Sequence, residues 1–414
     1  MTLVVDFRLF AKLSNVNRMK KIASFLDRFL PASDENKGII FIALSQFGLA
    51  FSFNVVMSFM PFYIIKMSPY KVPETMVWIG LIMGLNSFVA AAAAPFWGSL
   101  TATFRPKTLY QGAFLANGII FLLMGFSDSL PMLLALRLIQ GGLGGASTIG
   151  IFMVSQLSSK EHLPSNLSLY QNSMTAGQLL GPPVGAYAAA QIGYRAPFVL
   201  SFLLVGVALV LCHIYIVEVR KREAGPDQNG HFSQGVLWGW ALSFIATIHL
   251  TFLPSILPHV LEGFDLVGES AVKSAGFIMM GYTATAIIGN YVISRLTAGK
   301  RLKKVIAVLC LASAFLQLLL FFPGEVISFA VIRMLQTGVV AVVIPLVMAS
   351  FASELGGTGI GFLNSARFAG NGVGPLMATF VLAGSNLLTL YLLIAVLTVL
   401  FVLAFWMTSG KRAG

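Results

Sequence analysis

The stretch Arg137-Leu138-Ile139-Gln140-Gly141-Gly142 recurs 196 positions later as Arg333-Met334-Leu335-Gln336-Thr337-Gly338, and both copies read Arg-x-x-Gln-x-Gly. A second stretch, Ala176-Gly177-Gln178-Leu179-Leu180-Gly181-Pro182, recurs 193 positions later as Ala369-Gly370-Asn371-Gly372-Val373-Gly374-Pro375. Both of its copies read Ala-Gly-x-x-x-Gly-Pro. Two motifs that keep their order and nearly their spacing predict a chain built from two homologous halves.

The composition places both halves in a membrane. Of the 414 residues, 57% are hydrophobic and 10% are charged, and the mean hydropathy is +0.85, whereas soluble domains carry roughly 25% charged residues. The net charge of +12 lies in short clusters between apolar segments, a pattern that argues against nucleic acid as a partner. Cys212, Cys310 and the five histidines show no metal-ligand spacing, so we expect no metal, disulfide or cofactor.

Twelve segments are long enough to cross about 30 Å of hydrocarbon at about 20 residues each. They lie at 38–65, 76–99, 108–127, 130–157, 167–191, 195–218, 234–261, 270–297, 304–322, 325–353, 358–383 and 386–408. The predicted fold is an all-α integral membrane protein with 12 transmembrane helices in two pseudo-symmetric six-helix bundles. We divide the chain into a basic amphipathic arm (1–36), a first bundle (37–219), a linker (220–233), a second bundle (234–409) and a tail (410–414).

The basic residues predict the orientation. Of the 27 Lys and Arg residues, 20 fall on one side of the membrane, four on the other and three within spans. Because cytoplasmic loops are enriched in Lys and Arg, we expect both termini on the cytoplasmic side of the cytoplasmic (inner) membrane. The arm at 1–36 is interpreted as an amphipathic helix on anionic headgroups or as a disordered basic tail, and the sequence leaves both open.

Two further patterns carry a family resemblance. In the fourth span Leu133, Arg137, Gln140 and Gly141 fit Leu-x-x-x-Arg-x-x-Gln-Gly. In the fifth span Gly177, Gly181, Pro182 and Gly185 fit the pattern Gly-x-x-x-Gly-Pro-x-x-Gly. On these motifs the chain resembles the major facilitator superfamily, and within it the twelve-span drug:proton antiporter branch.

The resemblance implies an alternating-access carrier whose fourth-span arginine takes part in proton coupling and whose fifth-span motif favours export. Small residues four apart also let helices approach closely, and Gly370, Gly374 and Pro375 repeat the pattern, so helix packing without directional meaning stays open.

The family's loop motif between the second and third spans is met only in part. Gly98 is in place and Arg105 and Lys107 supply basic charge, but Ala102 stands where the family has an acid. The resemblance therefore implies a divergent member whose charge lock between the halves is weakened or replaced.

The ionisable residues bear on the substrate. All fifteen acids fall at span edges or in loops, and Asn54 stands in the first span where a cation exporter would carry an acid. Arg137, Arg333 and Arg367 lie inside spans, where a charge costs at least about 2.5 kcal/mol and needs carbonyl, amide, water or substrate partners.

We therefore hypothesise an anionic or zwitterionic substrate held by Arg137 and Arg333 with Arg367 assisting, since guanidinium binds carboxylates bidentately. Gln140, Gln336 and Asn54 complete the predicted substrate-binding set. The alternative is that Arg137 and Arg333 only brace helices.

The proton-coupling candidates are Arg137 and two histidines of the seventh span, His249 and His259, since histidine titrates near neutral pH; structural roles for the histidines stay open. The overall prediction is a secondary active transporter, not an enzyme, that exports a small organic solute with protons. The alternative is an organic-anion carrier, for a carboxylate siderophore, metabolite or amphiphile, acting as exporter, importer or uniporter. We expect a monomer whose partners are the solute, protons and the lipid bilayer.

Overall fold

The computed structural model describes residues 34–159, 162–216, 218, 234–297, 302–351 and 357–409, and within these residues the regular elements are all helices. Residues 1–33 of the predicted arm, the linker 220–233 and the tail 410–414 lie outside the described residues. The bounds predicted for these segments therefore stay predictions.

The described helices number fifteen. In the first half they are α1 (Asp34–Met67), α2 (Val72–Thr103), α3 (Pro106–Gly125), α4 (Leu130–Gly142), α5 (Ala146–Leu157), α6 (Leu163–Gln191) and α7 (Ala196–Tyr215). In the second half they are α8 (Gln234–Thr251), α9 (Leu253–Glu262), α10 (Gly268–Thr297), α11 (Leu302–Leu319), α12 (Val326–Val340), α13 (Val343–Phe351), α14 (Gly357–Gly384) and α15 (Leu387–Ser409).

Three pairs of helices, α4/α5, α8/α9 and α12/α13, each form one interrupted segment. Counting each pair once leaves twelve segments. Ten of these are long and apolar enough to cross a membrane, and the outward side chains of α7 and α15 include exposed Leu203, Val207, Leu400 and Leu403, as expected for surfaces in contact with lipid. The chain is therefore a multi-pass membrane protein.

The two segments outside the ten are α6 and α14, which carry the repeated Ala-Gly-x-x-x-Gly-Pro motif. Their glycines, prolines and amide side chains lower the hydropathy. Both helices are 28 residues or longer, which is enough to span the hydrocarbon. Their crossing of the membrane stays a prediction.

Packing of the helices builds two bundles of corresponding design. In the first bundle α6 packs along α1, and in the second α14 packs along α8. The bundles meet along two further pairs, α2 with α14 and α6 with α10. The predicted fold class, an all-α membrane protein of two pseudo-symmetric bundles, is confirmed.

Candidate substrate cavity

A cavity of about 540 Å³ lies between the two bundles. Its wall in the first bundle is rich in amide side chains, which come from α1, α2, α3, α4 and α6: Gln46, Asn54, Asn86, Asn117, Gln140 and Gln178. The facing wall is mostly apolar and includes Leu250, Pro254, Met279 and Phe368. Such a cavity suits an organic molecule with one polar and one apolar end.

Arg137 is the one charged side chain among the described residues that line this cavity, and no carboxylate lines it. The guanidinium donates from Nε to the Ile82 carbonyl (3.2 Å) and from Nη1 to Gln140 Oε1 (2.6 Å). Its Nη2 is 3.5 Å from the thioether sulfur of Met57, a weak acceptor. The Phe53 ring lies 5.2 Å from the guanidinium carbon. Arg137 is thus held in place by neutral groups, and its charge is not balanced by a described acid.

Two further polar atoms at the cavity are buried without a hydrogen-bond partner in the described part of the chain. They are Nε2 of Gln140, beside Arg137, and Oε1 of Gln46, whose Nε2 donates to Ser147 Oγ (2.9 Å). Asn54, also on the wall, donates to the Ala50 carbonyl of its own helix (2.8 Å). These groups thus offer the cavity a free donor, Gln140 Nε2 beside Arg137, and a free acceptor, Gln46 Oε1.

Arg333, the duplicate of Arg137, is fully buried and does not line the cavity. It donates from Nη1 to the His249 carbonyl (2.7 Å) and to Gln336 Oε1 (2.6 Å), and from Nη2 to the Leu250 carbonyl (3.2 Å). Its guanidinium carbon lies about 5 Å from the ring of Tyr282, which does line the cavity. The structure therefore brings Gln336 together with Arg333, one layer behind the wall.

His249 lies in the same buried network. Its Nε2 is 2.9 Å from Thr398 Oγ1, whose own proton goes to the Ile394 carbonyl, so Nε2 carries a proton and Thr398 accepts it. Its Nδ1 lies 3.1 Å from Gln336 Nε2, a donor, and 3.2 Å from Gln317 Oε1, an acceptor; Gln336 Nε2 also donates to Gln317 Oε1. The imidazole is thus held by three polar side chains, those of Thr398, Gln336 and Gln317, and it does not line the cavity.

Two other predicted site residues, the proton-coupling candidate His259 and the substrate-binding candidate Arg367, do not line the cavity. His259, near the end of α9, is 3.9 Å from Glu262 Oε2 and partly exposed. Arg367 is exposed on α14 and, unlike its neighbour Phe368, does not line the cavity.

The repeated glycine motif brings helices into close contact within each bundle. A Cβ on Gly177 would lie 2.6 Å from the Phe47 carbonyl, and one on Gly181 would lie 2.8 Å from the Phe51 carbonyl. Gly185 similarly faces the main chain of α1 at Val55.

The second copy of the motif makes corresponding contacts in the second bundle. Gly370 faces the main chain of α8 at Phe244, and Gly374 faces Thr251 of the same helix. Pro182 and Pro375, at corresponding places, both line the cavity. In each half the glycines pack the cavity-lining helix onto its neighbour.

The loop motif lies at the other end of α2. Gly98 is near the end of α2, and Arg105 is the residue before α3. Lys107 donates to the His213 carbonyl at the end of α7 (3.1 Å), where a cation is favoured by the helix dipole. The described contact of this basic pair is thus within the first bundle.

The two bundles touch on the side where α1 ends and α2 begins. There Gly84 of α2 faces the Gly372 carbonyl of α14, and Gly276 of α10 faces Pro182 and Pro183 of α6. Beyond these contacts Gln191 Nε2 donates to Glu269 Oε2 across the bundles (3.3 Å). The cavity is closed toward this side.

The sequence interpretation missed much of the amide wall, namely Gln46, Asn86, Asn117 and Gln178, and also Tyr282. The available signal was a polar side chain inside an apolar span. That signal gives the depth of a residue in the membrane but does not tell which side of its helix faces the cavity.

Comparison with known proteins agrees with this architecture. Residues 42–375 match the family described as Major Facilitator Superfamily. The multidrug resistance protein MdtG of Serratia proteamaculans is 24% identical over 392 residues, which cover 90% of this chain and 94% of that protein. Among solved structures, the human organic anion transporter MFSD10 (TETRAN) superposes with a TM-score of 0.67 at 15% identity, covering 91% of this chain and all of that one. A bacterial homologue of the lysosomal transporter Spinster, inward-facing and occupied, gives a TM-score of 0.73 at 12% identity, covering 90% of this chain and 96% of that one.

Proposed function

The chain belongs to the major facilitator superfamily, and from this premise we propose that it exports amphipathic organic anions across the cytoplasmic membrane by alternating access. The observation that carries the proposal is the cavity between the bundles, whose described lining holds one charge, the cation of Arg137. A substrate with an acidic group and an apolar body matches this wall.

The unbalanced charge supports the sign of the substrate. A buried guanidinium that has lost its water is costly without an opposite charge, and the groups bonded to Arg137 are a carbonyl, an amide oxygen and a thioether. A carboxylate beside Nη2 would replace the weak thioether contact and could also accept from the unpaired Gln140 Nε2. A lipophilic cation would find no described carboxylate on the wall.

The size and lining of the cavity support the rest of the substrate. Met57, Met83, Met174 and Met279 contribute flexible, polarisable side chains to the wall, and methionine adapts to ligands of different shape. A carrier of several related compounds is therefore favoured over one for a single rigid metabolite.

The proposed direction of transport rests on the sequence and on a relative. The fifth-span glycine motif and the similarity to a protein named for multidrug resistance favour export, and the bias of basic residues favours cytoplasmic termini. With that orientation the cavity is closed toward the outside, which is an inward-facing state. The proton gradient as driving force, with His249, His259 or Arg137 as the titrating group, stays a prediction.

Everted membrane vesicles test this proposal, because export then appears as accumulation. We expect respiring vesicles containing the protein to accumulate a labelled aryl carboxylate, and a protonophore to abolish the accumulation. Vesicles with Arg137→Gln should lose it, and vesicles without the protein provide the background. If a labelled lipophilic cation accumulates and the carboxylate does not, the anion proposal is wrong. If the carboxylate enters only right-side-out vesicles, the direction is wrong.

A further inference from the structure

The junction between α8 and α9 leaves a main-chain carbonyl without its helical donor. In a continuous helix the Leu250 carbonyl would accept from the N–H of residue 254, but residue 254 is proline and has no N–H. Arg333 Nη2 donates to this oxygen (3.2 Å), and Nη1 donates to the preceding carbonyl, that of His249 (2.7 Å). An arginine of α12 thus supplies the hydrogen bonds that the end of α8 lacks.

This junction is part of the cavity wall. Leu250, Thr251 and Pro254 line the cavity, and so does Tyr282 of α10. Arg333 itself is 0% exposed, but it bonds the backbone of the first of these residues and lies against the ring of the last. It can therefore act on a bound molecule only through the wall that it supports.

The two copies of the Arg-x-x-Gln-x-Gly motif are engaged differently. Each arginine donates to the glutamine three residues on. Beyond that pair, Arg137 bonds a carbonyl of the unbroken helix α2 and lines the cavity, whereas Arg333 bonds the broken end of α8 and lies behind the wall. The two copies thus share a sequence pattern but differ in the helix that they bond and in their access to the cavity.

We propose that Arg333 is a positioning residue that caps α8 at the break made by Pro254 and thereby sets the shape of the second-bundle wall. Arg137, its duplicate, is the copy that meets the substrate. The capping role does not depend on the charge of the substrate, so it can fail or hold independently of the proposed function.

A double-mutant cycle tests the cap. Arg333→Met removes the donors and, since each buried unsatisfied carbonyl is costly, should lower the Tm of the detergent-purified protein by about 5 °C. Pro254→Ala supplies the missing N–H. We expect it to recover at least half of that loss when combined with Arg333→Met, and to give no such gain in the wild type.

Pro258→Ala is the matched control, because it also replaces a proline of α9 but supplies an N–H eight residues beyond Leu250, too far along the chain to reach the capped carbonyl. The change in Tm caused by Pro258→Ala should be the same in the wild type and in Arg333→Met. If Arg333→Met does not yield folded protein, the same cycle is run with Arg333→Lys, which can donate to fewer of these oxygens.

A second measurement reports on the wall itself. With Cys212 and Cys310 replaced, Thr251→Cys places a thiol at the junction, and its rate of reaction with a water-soluble maleimide reports exposure to the cavity. We expect Arg333→Met to change this rate at least threefold and Pro254→Ala to return it toward the original value. A rescue no larger than that of Pro258→Ala, in Tm or in labelling rate, overturns the proposal.

Discussion

The contact between α2 and α14 should control the balance between the two states of the carrier. A Cβ added at Gly84 would lie 2.5 Å from the Gly372 carbonyl oxygen and 2.9 Å from Leu376 Cγ. The oxygen belongs to a helix and cannot turn away alone. Gly84→Ala should therefore force α2 and α14 apart, and it penalises only the state in which the bundles touch here.

The size of the shift follows from the cost of the added methyl group. Overpacking a close contact costs about 1–3 kcal/mol. The gain of about 0.5–1 kcal/mol from replacing glycine by alanine in a helix is present in both states and cancels. The state that opens on this side should thus gain roughly 5- to 150-fold in relative population.

Distance measurements between spin labels can detect this change. In a variant without Cys212 and Cys310, labels at Val72 and Ser385 lie at exposed positions, one at the start of α2 and the other just after α14. We expect Gly84→Ala to move the distance distribution toward longer values. Gly112→Ala is the control, since a Cβ there has no neighbour within 4 Å.

Unchanged distances in Gly84→Ala would refute this reasoning if its Tm also matched that of Gly112→Ala. That result would mean that the α2–α14 contact tolerates a methyl group, so it could not be the tight closure described above.

Further predictions concern packing and orientation. Gly177→Ala, whose Cβ would meet the main chain of α1, should lower the Tm by about 2–6 °C. Gly206→Ala, which has open space around its Cβ, should not lower it. Equal Tm values for the two variants would contradict the close packing of α6 on α1. Gly370→Ala should lower the Tm to a similar extent, and an effect of Gly177→Ala on export that Gly370→Ala does not share would instead support a directional role for the first motif. A reporter that fluoresces only in the cytoplasm should be fluorescent when it is fused after Gly414. If instead a reporter that is active only outside the cytoplasm is active at this position, the predicted orientation is wrong.

Much of the fold could be predicted from the sequence, because spans are specified by length and hydropathy and the halves by repetition. The helix breaks were harder to predict. Pro254 signals the break between α8 and α9, and the structure places it just before that proline, at Phe252. The break after Gly142 lies in a glycine-rich run that includes Gly144 and Gly145, and the break after Val340 is closely followed by Pro345. These residues weaken a helix locally, but they do not specify where it breaks.

The site was less predictable, and the two arginines show why. Arg137 and Arg333 stand in two copies of the same Arg-x-x-Gln-x-Gly motif, so the motif cannot tell them apart. What separates them is tertiary: α12 lies next to a broken helix whose carbonyls need donors, and α4 lies next to an unbroken one. The lack of nearby acids in the sequence does predict that both arginines bond carbonyls and amide oxygens. It does not predict which of the two arginines reaches the cavity.

The central claim, that Arg137 selects negatively charged molecules, is tested most directly with two probes of the same shape and opposite charge. Tetraphenylborate and tetraphenylphosphonium are titrated against the purified protein, and Tm is recorded for the wild type, Arg137→Gln and Arg333→Gln. A ligand that binds only the folded protein raises its stability by about 2.7 kcal/mol at one hundred times its Kd. We predict that tetraphenylborate stabilises the wild type more than tetraphenylphosphonium, that Arg137→Gln loses this preference, and that Arg333→Gln binds both probes less well but keeps it. Equal or greater stabilisation of the wild type by tetraphenylphosphonium would contradict the account.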